Sequence, residues 1–150
     1  MATTFSNLLY HIVYSTKDRI PLIDGDLREP LYEYIGGIIR GECGVLLEIG
    51  GVPDHVHLLA KFKTDIAVSK MVQKIKGNSS GWVNERPGRM ERFEWQVGYG
   101  IFSVSESLVD KVRRYIRNQE KHHKKVSFKD ELISLLKKHR IPYDERYLLG

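Results

Sequence analysis

A chain of 150 residues is one domain by the usual prior, and with 41% apolar side chains it can bury a real core. One cysteine, Cys43, excludes an internal disulfide and any cysteine-rich metal site, while 29% charged residues and 5 prolines do not suggest disorder. No apolar run nears the ~18 residues that span a membrane and no basic-then-apolar leader is present, so a cytoplasmic protein with no membrane partner is expected; the net charge of +5 is compatible with nucleic acid without requiring it.

Phe5 to Ser15 carries Leu8, Leu9, Tyr10, Ile12, Val13 and Tyr14 and is predicted as a buried first strand, with His11 packed or hydrogen-bonded inside it. Thr16 to Pro21 is a charged loop whose Lys17 and Arg19 are either solvated or within reach of a phosphate backbone. Asp26 to Glu42 is predicted as a helix, because Leu27, Leu31, Tyr34, Ile35, Ile38 and Ile39 recur at spacings of three and four. Asp24 or Asp26 caps its start, Pro30 falls in an early turn, and Gly41 and Gly44 mark its end.

Val45–Ile49 and Val56–Phe62 are rich in branched apolar residues, and Gly50 to Asp54 reads as the turn of a hairpin between them. His55 and His57 flank one apolar residue at the start of the second strand. Side chains alternate across a strand, so both imidazoles share a face, with their Cα atoms roughly 6.6 Å apart. They suit one metal ion or one phosphate, or are simply a structural pair. Two histidines alone are too few for a closed zinc site.

A second helix opens at Asp65 with Ile66, Val68, Met71, Val72 and Ile75 on its apolar stripe. It meets Gly77-Asn78-Ser79-Ser80-Gly81, either a bend or a helix that tolerates two glycines. Arg86, Arg89 and Arg92 lie in a polar loop ahead of Phe93 and Trp95, a mixture that suits single-stranded nucleic acid, although Trp95 itself is expected in the core. Trp95 to Val104 is predicted as a fourth strand. Ser103 and Glu106 fit a capping box for a helix running to about Lys121, with Leu108, Val109, Val112 and Ile116 buried. Tyr115 and Gln119, four apart, project from one face of that helix, and Arg113 and Arg117 are among the basic residues around the tyrosine. Tyr115 is open to three readings at this point: phosphate contact, core residue or nucleophile. Gln119 offers a carbonyl oxygen that could join two imidazoles on a metal. A last helix covers Ser127 to Arg140.

The first six elements, strand–helix–strand–strand–helix–strand, predict an α+β, ferredoxin-like split βαβ domain over residues 1–150. Its antiparallel sheet carries both main helices on one face, leaves the other free to bind, and is followed by C-terminal helices that carry the tyrosine.

Three stretches then carry a resemblance: Asp54-His55-Val56-His57-Leu58-Leu59, Tyr115-Ile116-Arg117-Asn118-Gln119, and the Trp95–Val104 strand before that second motif. Over essentially its full length the sequence resembles the single-tyrosine HUH transposases of bacterial insertion sequences, relatives of the REP-associated tyrosine transposases. The resemblance implies His55, His57 and Gln119 as ligands of Mg²⁺ or Mn²⁺, and Tyr115 as the nucleophile. It implies cleavage and rejoining of single-stranded DNA at hairpin-marked ends through a 5′-phosphotyrosine, in a homodimer where the tyrosine helix of one subunit commonly completes the site of the other. Candidate phosphate contacts are Lys17, Arg19, Arg86, Arg89, Arg92, Arg113 and Arg117. His122 is the candidate proton carrier. The alternatives are a domesticated single-stranded nucleic-acid-binding protein of the same fold without turnover, and an HUH nuclease of replication or plasmid transfer.

Overall fold

The computed structural model describes residues 3–149. Four strands form one sheet in the order β2-β3-β1-β4: β1 (Leu8–Ser15), β2 (Val45–Val52), β3 (His55–Phe62) and β4 (Gly100–Val104). Every pairing is antiparallel. Helix α1 (Gly25–Gly41) joins β1 to β2, and α2 (Val68–Asn84) joins β3 to β4. This is the expected split βαβ arrangement.

One face of β1 and β3 presents Ile12, Tyr14, Val56, Leu58, Ala60 and Phe62, which pack with Leu31, Ile35, Ile39, Met71 and Ile75 of α1 and α2 into the main core. Asp24 caps α1 by accepting the Leu27 N–H at 2.8 Å. Pro30 lies beyond the first turn, where its missing N–H leaves the Asp26 carbonyl without the usual helical donor. Helix α2 starts at Val68 rather than Asp65 and runs unbroken through Gly77 and Gly81, whose Cα faces meet open space.

The opposite face is not free. Three further helices cover it: α3 (Val109–Arg117), the single turn α4 (Gln119–His122) and α5 (Phe128–Lys138). Leu9 and Leu59 pack under Val109 and Ile116, while Val13 and Phe102 pack under Phe128, Leu132 and Leu136. The predicted open face is therefore corrected to a second buried layer, because these helices each bring an apolar stripe that must be covered.

Three local expectations change. Pairing continues through Gly50, Gly51 and Val52, so the hairpin turn is only Pro53-Asp54. Trp95 makes a lone bridge to Thr16, and the chain between it and Gly100 leaves the sheet, with Gly98 at a φ of 110° and Val97 exposed. Trp95 itself is buried as expected, its indole N–H donating to Ser79 at 2.9 Å. Ser103 remains a strand residue opposite Tyr10, so the capping box does not form, and the Glu106 carboxylate instead accepts from Asn7.

A candidate metal and tyrosine centre

β3 places His55 and His57 on the face covered by α3–α5, as strand alternation requires, and both are fully buried. Each ring is oriented from behind. Asp54 Oδ1 lies 2.7 Å from His55 Nδ1, so that nitrogen carries the proton and Nε2 faces inward. His11 Nε2 lies 2.8 Å from His57 Nδ1, turning His57 Nε2 the same way. His11 is thus the buried, hydrogen-bonded residue expected of it. Its pKa is pushed down to about 3 by burial first and by neighbouring His57 second.

Helix α3 approaches this face where β2 has no side chain. A Cβ on Gly50, the residue paired with His57, would lie 2.5 Å from the Ile116 carbonyl oxygen. Arg113 and Arg117 then tie α3 to the Glu48 carboxylate of β2, at 3.4 and 2.9 Å. The close approach brings Tyr115, half-buried, to within 5.7 Å of His57 between ring centroids. The helix predicted to run to Lys121 breaks at Asn118, and α4 begins with Gln119, buried beside His55 at 3.3 Å from Oε1 to Nε2.

The centre of this arrangement is Glu131, from the first turn of α5, which reading the sequence missed. Its Oε1 lies 2.9 Å from His57 Nε2, 3.0 Å from His123 Nε2 and 3.3 Å from His55 Nε2. Its Oε2 accepts hydrogen bonds from the Tyr115 hydroxyl and from the Gln119 amide, and His122 Nε2 lies 3.3 Å away. A signal for it exists in the sequence. Phe128, Glu131, Leu132 and Leu135 follow the spacing of one helix face, so this glutamate interrupts an apolar stripe. His123 was hidden in the run His122-His123-Lys124-Lys125, which looks like solvated charge.

Burial would raise the Glu131 pKa, but hydrogen bonds from His123, His55 and His57 outweigh it and hold the carboxyl well below the usual range. Burial lowers the His57 pKa, only partly offset by Glu131. Burial also opposes charge on His55, yet the Asp54 and Glu131 carboxylates together raise its pKa. Tyr115 is driven upward by burial and then by the negative charge of Glu131, so its hydroxyl keeps its proton unless a cation intervenes.

The donor set fits such a cation. Ligand atoms of His55, His57, His123 and Glu131 all lie within 4.8 Å of one another. Three imidazoles and a carboxylate are suited to a divalent transition ion.

The basic residues singled out in the sequence are spread over the surface, and each meets a protein partner. Lys17 and Arg92 pair with Glu94 at 3.3 and 3.0 Å, and Arg19 donates to the Leu149 carbonyl at 3.2 Å. These lie at the end of the sheet where Ser15 pairs with His55. Arg86 stacks over Trp82 and Arg89 over Phe93, at the end of α2. A cavity of about 300 Å³ opens beside Tyr115, with His11, Lys111, Lys138 and His139 among its walls. Among the described residues no helix is long and apolar enough to cross a membrane.

A solved REP-associated tyrosine transposase bound to a REP hairpin superposes with a TM-score of 0.63 at 13% identity, over 82% of this chain and 72% of that one, which establishes the likeness of fold. The transposase of insertion sequence element IS200 from Salmonella typhimurium is 30% identical over 128 residues, covering 79% of this chain and 81% of that protein. ISDra2 transposase TnpA from Deinococcus radiodurans is 26% identical over 117 residues, covering 75% and 84%. The family model described as transposase IS200 like matches residues 4–119, which span β1 to Gln119 and so include both histidines and the tyrosine. The chain belongs to the IS200-like transposase family.

Proposed function

We propose that this transposase cleaves and rejoins single-stranded DNA at hairpin-marked ends, with Tyr115 as nucleophile and a 5′-phosphotyrosine as intermediate. One observation carries the reading: the Tyr115 hydroxyl and the inward Nε2 atoms of His55 and His57 converge on one carboxylate within a single chain. The hairpin in the solved relative supports the choice of substrate.

His55 and His57 hold Mg²⁺ or Mn²⁺, together with an oxygen ligand from the C-terminal helices, for which Gln119 is the expected donor. When bound, the ion acts as a Lewis acid that orients the scissile phosphate and offsets developing charge. Asp54 and His11 keep the imidazoles aimed inward. The Tyr115 oxygen attacks phosphorus in line and the P–O3′ bond breaks; the phenolic proton leaves along its hydrogen bond to Glu131 Oε2 and on to solvent, and the departing oxygen takes a proton from water, leaving a free 3′-OH. The phosphodiester bond energy is kept in the tyrosyl ester, so rejoining needs no ATP. Lys17, Arg19 and Arg92, at the His55 end of the sheet, and Arg113 and Arg117, on the tyrosine helix, are candidate phosphate contacts, as are Arg86 and Arg89, which stack on Trp82 and Phe93. A second copy in a homodimer would serve the second DNA end, since one chain already supplies both tyrosine and imidazoles. The reaction is assigned to the cytoplasm.

The test is a labelled single-stranded hairpin DNA incubated with protein and Mn²⁺ or Mg²⁺, then run on a denaturing gel. Wild type forms a covalent adduct and Tyr115→Phe forms none. An adduct that persists in Tyr115→Phe removes the tyrosine from its role. Tight binding without adduct across varied hairpins and metals would favour the alternative, a binding protein of this fold without turnover.

A further inference from the structure

We infer that Glu131 is the direct anionic ligand of the divalent ion through Oε1, with His123 beside it, and that Gln119 is a positioning residue holding Oε2. The inference rests on the metal-dependent reading above and changes the ligand set it expects.

His55 Nδ1 faces a carboxylate oxygen of Asp54 at 2.7 Å, and His123 Nδ1 faces the Val126 carbonyl at 2.6 Å. Both partners only accept, so both Nδ1 atoms carry hydrogen. In the neutral ring that a metal binds there is one N–H, so each Nε2 would then present a lone pair; without an ion the same nitrogens take protons and donate to Glu131. These nitrogens point at Glu131 Oε1 from 3.3 and 3.0 Å, and His57 Nε2 does so from 2.9 Å. Three ring nitrogens and a carboxylate oxygen within 4.8 Å of one another need positive charge among them, as protons or as a cation. A single proton can join only one nitrogen to the oxygen. A dication would join all four atoms.

Charge then decides between Glu131 and Gln119. Both are buried within reach of His55. The glutamine oxygen is neutral, whereas the carboxylate carries a full charge that is costly to enclose without a cation. The Gln119 amide already donates to Glu131 Oε2 at 3.1 Å, and the Tyr115 hydroxyl donates to the same oxygen. One carboxylate thus faces the ion with one oxygen and registers the nucleophile with the other.

The test is Mn²⁺ binding to the full chain, followed by calorimetry and electron paramagnetic resonance without DNA. Loss of an outer partner costs about 10–100-fold in metal affinity, so Gln119→Ala should fall in that range and Glu131→Gln should exceed it. Glu131→Asp keeps the charge but withdraws the oxygen by one methylene, and should shift the visible bands of bound Co²⁺. Circular dichroism in EDTA confirms that each variant is folded. If Glu131→Gln binds Mn²⁺ within about threefold of wild type while Gln119→Ala loses it, the assignment is overturned and the metal centre stands. Co²⁺ bands in Glu131→Asp identical to wild type overturn it as well. A wild-type protein that binds no Mn²⁺ overturns the metal-dependent reading itself.

Discussion

The Gly50 Cα faces the Ile116 carbonyl so closely that a Cβ there would stand 2.5 Å from the oxygen and 3.0 Å from Ile116 Cγ2. The backbone of the tyrosine helix therefore rests on the backbone of β2, next to the residue paired with His57. Gly50→Val should push α3 outward and carry Tyr115 with it. Overpacking of this kind costs about 1–3 kcal/mol, so the variant should remain folded with a lower melting temperature. A shift of about 1 Å in a reacting group can cost about 100-fold in rate, and adduct formation should fall by that order. Adduct yield and thermal unfolding, measured on the same preparation, check both halves.

Divalent metal should stabilise the protein in the absence of DNA. A ligand bound only by the folded state adds about 2.7 kcal/mol at 100 times its dissociation constant. For a chain of this size that is a rise of roughly 5–10 °C in melting temperature. EDTA should reverse it, and His55→Ala should abolish it. Scanning calorimetry with and without Mn²⁺ makes the measurement.

Metal-free protein should lose stability in mild acid. His11 is held at a pKa of about 3, below its unfolded value of 6.5, chiefly by burial. The unfolded chain then binds more protons between these values, so stability falls as pH drops through that window, by about 1.4 kcal/mol per pH unit at most from this residue. His57 is lowered too and acts with the same sign. Glu131 is held below the ordinary carboxylate value of 4.5, so its contribution is complete above that pH and is lost only as the pH falls further. His55 is raised, so its contribution is complete below 6.5 and is lost on the alkaline side. His11→Gln, which can still bond His57, should flatten the denaturant midpoint between pH 4.5 and 6.5. An unchanged slope would place the acid sensitivity elsewhere.

Glu48 neutralises two candidate phosphate contacts at once, Arg113 and Arg117. Arg117→Ala should weaken single-stranded DNA uniformly and reduce the salt slope of binding by about one. Glu48→Gln should release both guanidinium groups and tighten binding at low salt, while loosening α3 by about 1 kcal/mol. Fluorescence anisotropy across a salt series distinguishes these outcomes.

Much of this centre was legible from residue order alone, for identifiable reasons. His55 and His57 could be placed on one face because strand alternation admits no other arrangement. Tyr115 and Gln119 could be joined because four residues make nearly one helical turn. That both would meet a carboxylate was not legible, since Glu131 comes from a helix whose docking depends on packing over Val13 and Phe102. The capping motif at Ser103 and Glu106 failed for a related reason: pairing with Tyr10 holds Ser103 in the sheet. Trp95 to Tyr99 misled because apolar alternation there reflects one buried indole and an exposed Val97 rather than a strand.

His55 and His57 have no solvent exposure beneath α4 and α5. A DNA strand cannot thread its phosphate into that enclosure while the helices stay seated. On the proposed reading, DNA entry needs a local opening of the C-terminal layer, with Glu131 and Gln119 returning once the phosphate is seated, while the sheet and its main core stay intact. The tempo of transposition would then be set by how often this roof lifts, and changes at the seam between α5 and β4, where Leu132 and Leu136 meet Phe102, would act on it as a throttle.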